Sequence, residues 1–143
     1  MKEKFPNGFS WKSLQDFKPY KIGGIRGFWY ENSFQEEGLK VEYVTTDKQN
    51  ISKLTLGRID FTLIDELVGW NLIKETYPEQ VTTFVVTQKP ESTDAFRIMV
   101  SRKYPNSKEL LNKFNEGLKT IKNNGTFHNI LKQYDVTEEY VTH

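Results

Sequence analysis

The sequence predicts an α/β fold, a mostly parallel sheet flanked by helices. Two observations carry that reading. From Tyr20 onward short apolar segments alternate with amphipathic ones in the order β-α-β-α-β-α-β, and a glycine or a proline stands where the helical patterns stop. Strands separated by helices pair in parallel through right-handed crossovers, which covers both faces of the sheet.

Tyr20-Lys21-Ile22-Gly23-Gly24-Ile25 reads as the first strand, entered through Pro19 and running into a glycine turn at Gly27. Tyr30 to Glu37 reads as a short helix with Gly38 as its stop signal, glycine being the residue that accepts a left-handed C-cap. Leu39 to Val44 alternates with period two and predicts the second strand. Asp47 is placed to cap a helix that turns Ile51 and Leu54 inward and ends at Gly57. Ile59 to Ile64 is nearly continuously apolar, which suits a third strand covered on both faces. Leu67, Trp70 or Asn71, and Ile73 or Lys74 fall at helical spacing before Pro78, and the β-branched run Val81 to Thr87 predicts a fourth strand. Gln88 to Thr93 is polar, contains Pro90 and marks a lobe boundary; beyond it Phe96, Ile98 and Val100 alternate as a fifth strand. The last third is helical. Asn106 with Glu109 predicts a capping-box variant, Leu110, Phe114, Leu118 and Ile121 form one stripe, Gly125 closes the helix, and Thr126 caps a final helix carrying Phe127, Ile130, Leu131 and Tyr134.

Composition removes several function classes. The 143 residues suffice for one ordinary domain or two small lobes. Twenty Lys+Arg against nineteen Asp+Glu leave a net charge of +1 with no basic run, which argues against a nucleic-acid partner. The absence of cysteine excludes disulfides, thiolate zinc sites and cysteine nucleophiles, and two histidines are too few for a histidine-rich metal site. There is no G-x-S-x-G elbow for a Ser/His/Asp triad. No apolar run approaches the roughly 18 residues of a bilayer span, and the N-terminus lacks the apolar core of a signal peptide. The chain is therefore either intracellular or an internal piece headed by Met1.

Three features are candidates for chemistry. Gly23-Gly24-Ile25-Arg26-Gly27 follows a strand and precedes a helix, but G-G-x-x-G is neither a dinucleotide nor a P-loop signature. Such a turn offers amide donors to a small anion, and Arg26 adds a charge able to grip a carboxylate; alternatively Gly27 only permits a tight turn and Arg26 is solvated. Asp65 ends the third strand, where open α/β sheets place ligands. It reads either as the partner of a ligand ammonium or as the N-cap of the helix beginning near Glu66. Phe28-Trp29-Tyr30 reads either as a stacking surface for a ligand or as a plug in which at least one ring joins the core.

These segments also spell a family. Ser13 to Gly24, Leu54 to Phe61 with Asp65, and Asn115 to Tyr134 together resemble, in order and at matching spacing, extracellular solute-binding proteins of family 3, the polar amino-acid receptors of bacterial ABC importers. The resemblance implies a type II periplasmic-binding fold in which residues 11–88 form the second lobe and 94–134 the returning C-terminal strand and helices of an incomplete first lobe. It implies a partial chain without the first half of lobe one, and a periplasmic or extracellular location with the signal peptide lost by truncation. It implies no enzyme activity and no cofactor or metal, but hinge closure on a small polar, amino-acid-like solute for delivery to ABC-transporter membrane subunits. Carried over residue by residue, Asp65 matches the acidic residue that binds the ligand ammonium, and Arg26, Gly27, Phe28, Trp29 and Tyr30 match the loop that touches its carboxylate and side chain. The sequence departs from the family there: Gly27-Phe28-Trp29 stands where a glycine and a hydroxyl residue are usual.

The alternative role is an extracytoplasmic ligand-sensing domain of a membrane-bound signalling protein; an enzyme built on the same clamp ranks last. The unpartnered C-terminal helices predict a homodimer, or a rearranged helix folded on its own lobe.

Overall fold

The computed structural model describes residues 4–92, 97–134 and 136. The chain divides into two compact units, Met1–Glu91 and Ser92–His143.

The first unit is built on a three-stranded parallel sheet of β1 (Lys21–Ile25), β2 (Lys40–Val44) and β3 (Phe61–Thr62), in the order β2-β1-β3. Lys21 to Ile25 pair in register with Lys40 to Val44, and Ile22 and Gly23 with Phe61 and Thr62. The connections are α1 (Glu31–Glu36) and α2 (Asp47–Thr55), and α3 (Glu66–Thr76) follows β3. The mixed α/β fold with its parallel sheet is thus as expected. β3 is shorter than the apolar run suggested, because only Phe61 and Thr62 find a strand partner.

The sheet separates two apolar clusters. Ile22, Tyr30 and Phe34 are buried on one side with Leu14, Phe17, Leu39, Val41 and Leu63 against them. Ile51, Leu54, Ile59, Ile73 and Phe84 are buried in the other cluster with Trp70, Leu72, Tyr77 and Val81. β1 is the middle strand, buried from Ile22 to Ile25, and its glycines are what let its neighbours close in. A Cβ at Gly23 would lie 2.5 Å from both Asn50 Oδ1 and Ile59 Cδ1. One at Gly24 would lie 2.9 Å from the Tyr43 ring and from Val41 Cγ1.

The predicted fourth strand is replaced by a 3-10 helix, Pro78–Thr83, followed by a single parallel bridge between Thr87 and Phe9. The reason lies in the spacing. Pro78 sits in the first turn, and Val81 and Phe84, three residues apart, fall on one side of a three-residue-per-turn helix, where both meet the Ile73 cluster. The β-branched composition of the run is overridden by burial of that pair. Residues 97–100 of the predicted fifth strand are not in a strand, and Phe96 lies outside the described residues.

Three caps move by one position or lose their role. Thr46, not Asp47, caps α2: its hydroxyl accepts from Gln49 N–H at 3.4 Å, and the Gln49 side chain accepts from Thr46 N–H at 3.2 Å. Asn106 precedes α4 (Ser107–Asn123) in the left-handed conformation at φ 58° without a side-chain cap. Glu109 instead pairs with Lys113 at 2.7 Å, one turn on. Gly125, at φ 79°, rather than Thr126 precedes α5 (Thr126–Gln133). In this second unit Leu118, Ile121, Phe127 and Leu131 are half-buried, whereas Leu110 and Phe114 are exposed.

The segment before the predicted second lobe is fully part of the first unit. Phe5, Phe9, Phe17, Tyr20 and Phe61 form a web of edge and tilted ring contacts at 4.9–5.7 Å. Gln88 N–H donates to Phe9 O at 3.0 Å, and Lys89 caps the Trp11 ring at 4.2 Å while its carbonyl accepts from Trp11 Nε1. Lys4 pairs with Asp60 at 2.6 Å, and the other Asp60 oxygen accepts from Lys21 N–H at 2.9 Å.

Burial alone works to raise the Asp60 pKa, but the Lys4 ammonium and the Lys21 amide outweigh it, so the group ionises below its ordinary range. A carboxyl whose folded pKa is depressed adds stability that is complete above its unfolded value and is lost as pH falls through the folded one. Acid titration of unfolding should therefore find Asp60→Asn less stable at neutral pH but with a flatter decline below about pH 4. Gly23→Ala should lower stability by about 1–3 kcal/mol in urea unfolding, because rigid Ile59 and the buried α2 face must both move.

Candidate functional site

A parallel sheet presents all its carboxyl ends along one edge. The chain steps from β1 to β2 on one side and arrives at β3 on the other, so its winding reverses beside β1. The crevice outside the carboxyl ends of β1 and β3 is the topological switch point, where open α/β sheets bind their ligands. Arg26 to Tyr30 leave β1 at this edge, and Leu63 to Asp65 leave β3 beside it. Topology thus brings the two groups of predicted site residues to one edge.

Three amides of the β1 turn are engaged within the fold. Arg26 N–H donates to Val44 O at 3.0 Å and Phe28 N–H to Ile25 O at 3.3 Å, while Gly27 N–H donates to the Glu31 carboxylate. Those three amides are spoken for and are not free donors for a ligand. Gly27 itself is required by its backbone, at φ 79°. Its charge comes from Arg26, exposed, with the guanidinium 5.8 Å from the Tyr43 ring centre.

The three aromatics divide. Tyr30 is 2% exposed and is the plug. Its ring lies 4.9 Å from Phe34, and its hydroxyl accepts from Ile25 N–H at 2.9 Å, tying the end of the turn back to the last residue of β1. Phe28 and Trp29 remain 47% and 64% exposed, with Trp29 edge-on to Tyr30 at 5.5 Å. Burial pushes the Tyr30 hydroxyl pKa up against the Ile25 hydrogen bond, with Asp47 adding repulsion. Burial likewise raises Tyr43 and Asp47, and Arg26 partly offsets the rise at Tyr43.

Asp65 caps α3: Oδ1 accepts from Val68 N–H at 3.0 Å. The cap occupies one of several acceptor positions, and the side chain is exposed, so capping leaves the carboxylate able to take a second donor. Leu67 and Val68, in the first turn of α3, are 37% and 47% exposed. Leu67 stood out in the helical periodicity as part of the apolar stripe, whereas Val68 did not. Among the described residues no group of three or more His, Asp or Glu stands together to hold a metal ion, and no helix is long and apolar enough to cross a membrane.

The L-cystine-binding protein TcyJ of Escherichia coli K12 is 26% identical over 132 residues, covering 89% of this chain and 47% of that protein. Its counterpart in Escherichia coli O6:H1 strain CFT073 matches equally. The solved structure of an ancestral arginine-binding protein bound to glutamine superimposes with a TM-score of 0.63 at 27% identity, covering 90% of this chain and 55% of that one. The chain is a domain like those of family-3 periplasmic binding proteins. It is homologous to amino-acid- and cystine-binding proteins, which are binders rather than enzymes, and it spans about half their length. No family model matches it.

Tyr30→Phe keeps the plug but strips the acceptor from a buried strand amide. It should cost about 1–3 kcal/mol in denaturant unfolding, far more than the same loss at an exposed ring.

Proposed function

We propose that this chain supplies the ligand-gripping edge of an extracytoplasmic solute-binding receptor that hands a small amino-acid-like solute to the membrane subunits of an ABC importer. In this reading residues 11–88 act as the second lobe and 94–134 as the returning part of the first, and hinge closure on the solute produces the state the transporter recognises. The observation that carries it is the pairing of opposite charges at the switch point. Arg26 beyond β1 suits a carboxylate, Asp65 beyond β3 suits an ammonium, and a zwitterion presents both. Gly27 shapes the turn, Phe28 and Trp29 present surface to the solute, and Tyr30 holds the turn in place from below. Closure requires only that contacts favour the closed state, with no bond made or broken. The relatives are a cystine-binding protein and an arginine-binding protein bound to glutamine, and these solutes are amino acids, which supports a zwitterion.

The test separates the two jobs of Asp65. Asparagine caps a helix about as well as aspartate, whereas alanine forfeits about 0.5–2 kcal/mol of cap. In a thermal-shift screen of free amino acids, a bound solute should raise the melting temperature by mass action. Asp65→Asn should melt near the parent yet lose the solute-induced rise, while Asp65→Ala should melt lower and lose it too. A rise undiminished in both variants, or no rise with any amino acid, contradicts the reading.

A further inference from the structure

We propose that Phe28 and Trp29 make this edge selective for a zwitterion with an aromatic side chain, an inference that rests on the solute-binding reading above and narrows its substrate. Four observations converge on it. First, the turn has no hydroxyl to offer a polar side chain. Arg26, Gly27, Phe28 and Trp29 carry none, and the Tyr30 hydroxyl is buried and engaged with Ile25 N–H. Second, the amides of Arg26, Gly27 and Phe28 are consumed within the fold, so they are not available as polar readers either.

Third, the two rings are exposed on a fixed base rather than a loose one. Tyr30 packs on Phe34 and against both neighbouring rings, at 5.8 Å from Phe28 and 5.5 Å from Trp29. A rigid aromatic surface held outward is suited to stacking, because little rotamer freedom is lost when a planar group settles on it. Fourth, Leu67 and Val68 extend apolar surface along the β3 side of the same edge, beside the Asp65 carboxylate. The edge therefore sets Arg26 and Asp65, with the neighbouring Glu31 and Glu66 carboxylates already engaged by Gly27 N–H and Trp70 Nε1, among exposed apolar and aromatic surface. That is the composition of a pocket for a ligand whose charged groups are few and whose remaining surface is apolar. Polar side chains such as those of arginine or glutamine would lose hydration at this surface without recovering hydrogen bonds from it.

The experiment is titration calorimetry on the full chain with two sets of probes. One set is L-tryptophan, L-tyrosine and L-phenylalanine; the other is L-cystine, L-arginine and L-glutamine. Intrinsic fluorescence is followed in parallel, Trp29 being far more exposed than the half-buried Trp11 and Trp70. The aromatic set should bind about tenfold more tightly. The double variant Phe28→Thr/Trp29→Thr should erase that preference, and Trp29→Phe should retain most of it while abolishing the fluorescence change. Both replacements fall on exposed rings, and an unchanged circular-dichroism melt confirms that the fold persists. Tighter binding of the polar set, or an aromatic preference that survives the double variant, overturns the inference and leaves solute binding standing. Failure of all six probes to bind overturns this inference and the solute-binding reading together.

Discussion

The structure depends on the closeness with which its central strand is approached. β1 carries no side chain at Gly23 or Gly24, so the α2 face and Ile59 press onto one side while Val41 and Tyr43 close over the other. The contacts leave no room for even a methyl group. Packed this tightly, β1 holds its carboxyl end in place, and the turn that follows inherits that rigidity. One consequence is Asn50, fully buried over Gly23 with neither amide atom hydrogen-bonded among the described residues. A buried amide without a partner is costly, and the fold carries that cost where the approach is closest.

From this strand the candidate site is assembled by reuse. Tyr30 is a core residue on the α1 side and also the strut of the turn, since its hydroxyl returns to the final amide of β1. Asp65 is a helix cap and also an exposed carboxylate at the switch point. Structural and functional readings of these two residues do not compete, because a hydroxyl or carboxylate has more than one bonding position and burial of a ring leaves its neighbours free to be exposed. The three consecutive aromatics show the same economy: one is spent on the core, and two are held at the surface by it.

The N-terminal segment has a different lesson. Phe5 and Phe9 pack on Phe17, Tyr20 and Phe61, and Lys4 reaches Asp60, although the sequence between Lys4 and Ser10 carries no regular period. Beyond Phe17 and Tyr20, its order comes from contacts with residues more than 50 positions away, including the bridge to Thr87 and the Gln88 hydrogen bond. Local pattern carries no trace of such partners. The same limitation explains Val81 to Thr87, whose β-branched residues favour a strand in isolation but whose Val81 and Phe84 are drawn as a pair into the Ile73 cluster.

What the sequence determined by itself is everything governed by near neighbours: the positions of β1, β2 and the five helices, the left-handed glycines at Gly38, Gly57 and Gly125, and the alternation that forces a parallel sheet. It also named the residues that leave the sheet at its carboxyl edge, because strand ends follow from strand positions. Tertiary structure decided the rest. The length of β3 was set by which residues found a partner. The choice of Tyr30 over Phe28 and Trp29 as the buried ring came from the hydroxyl that met the Ile25 amide. In both cases a hydrogen-bonding partner decided what hydropathy periodicity left open.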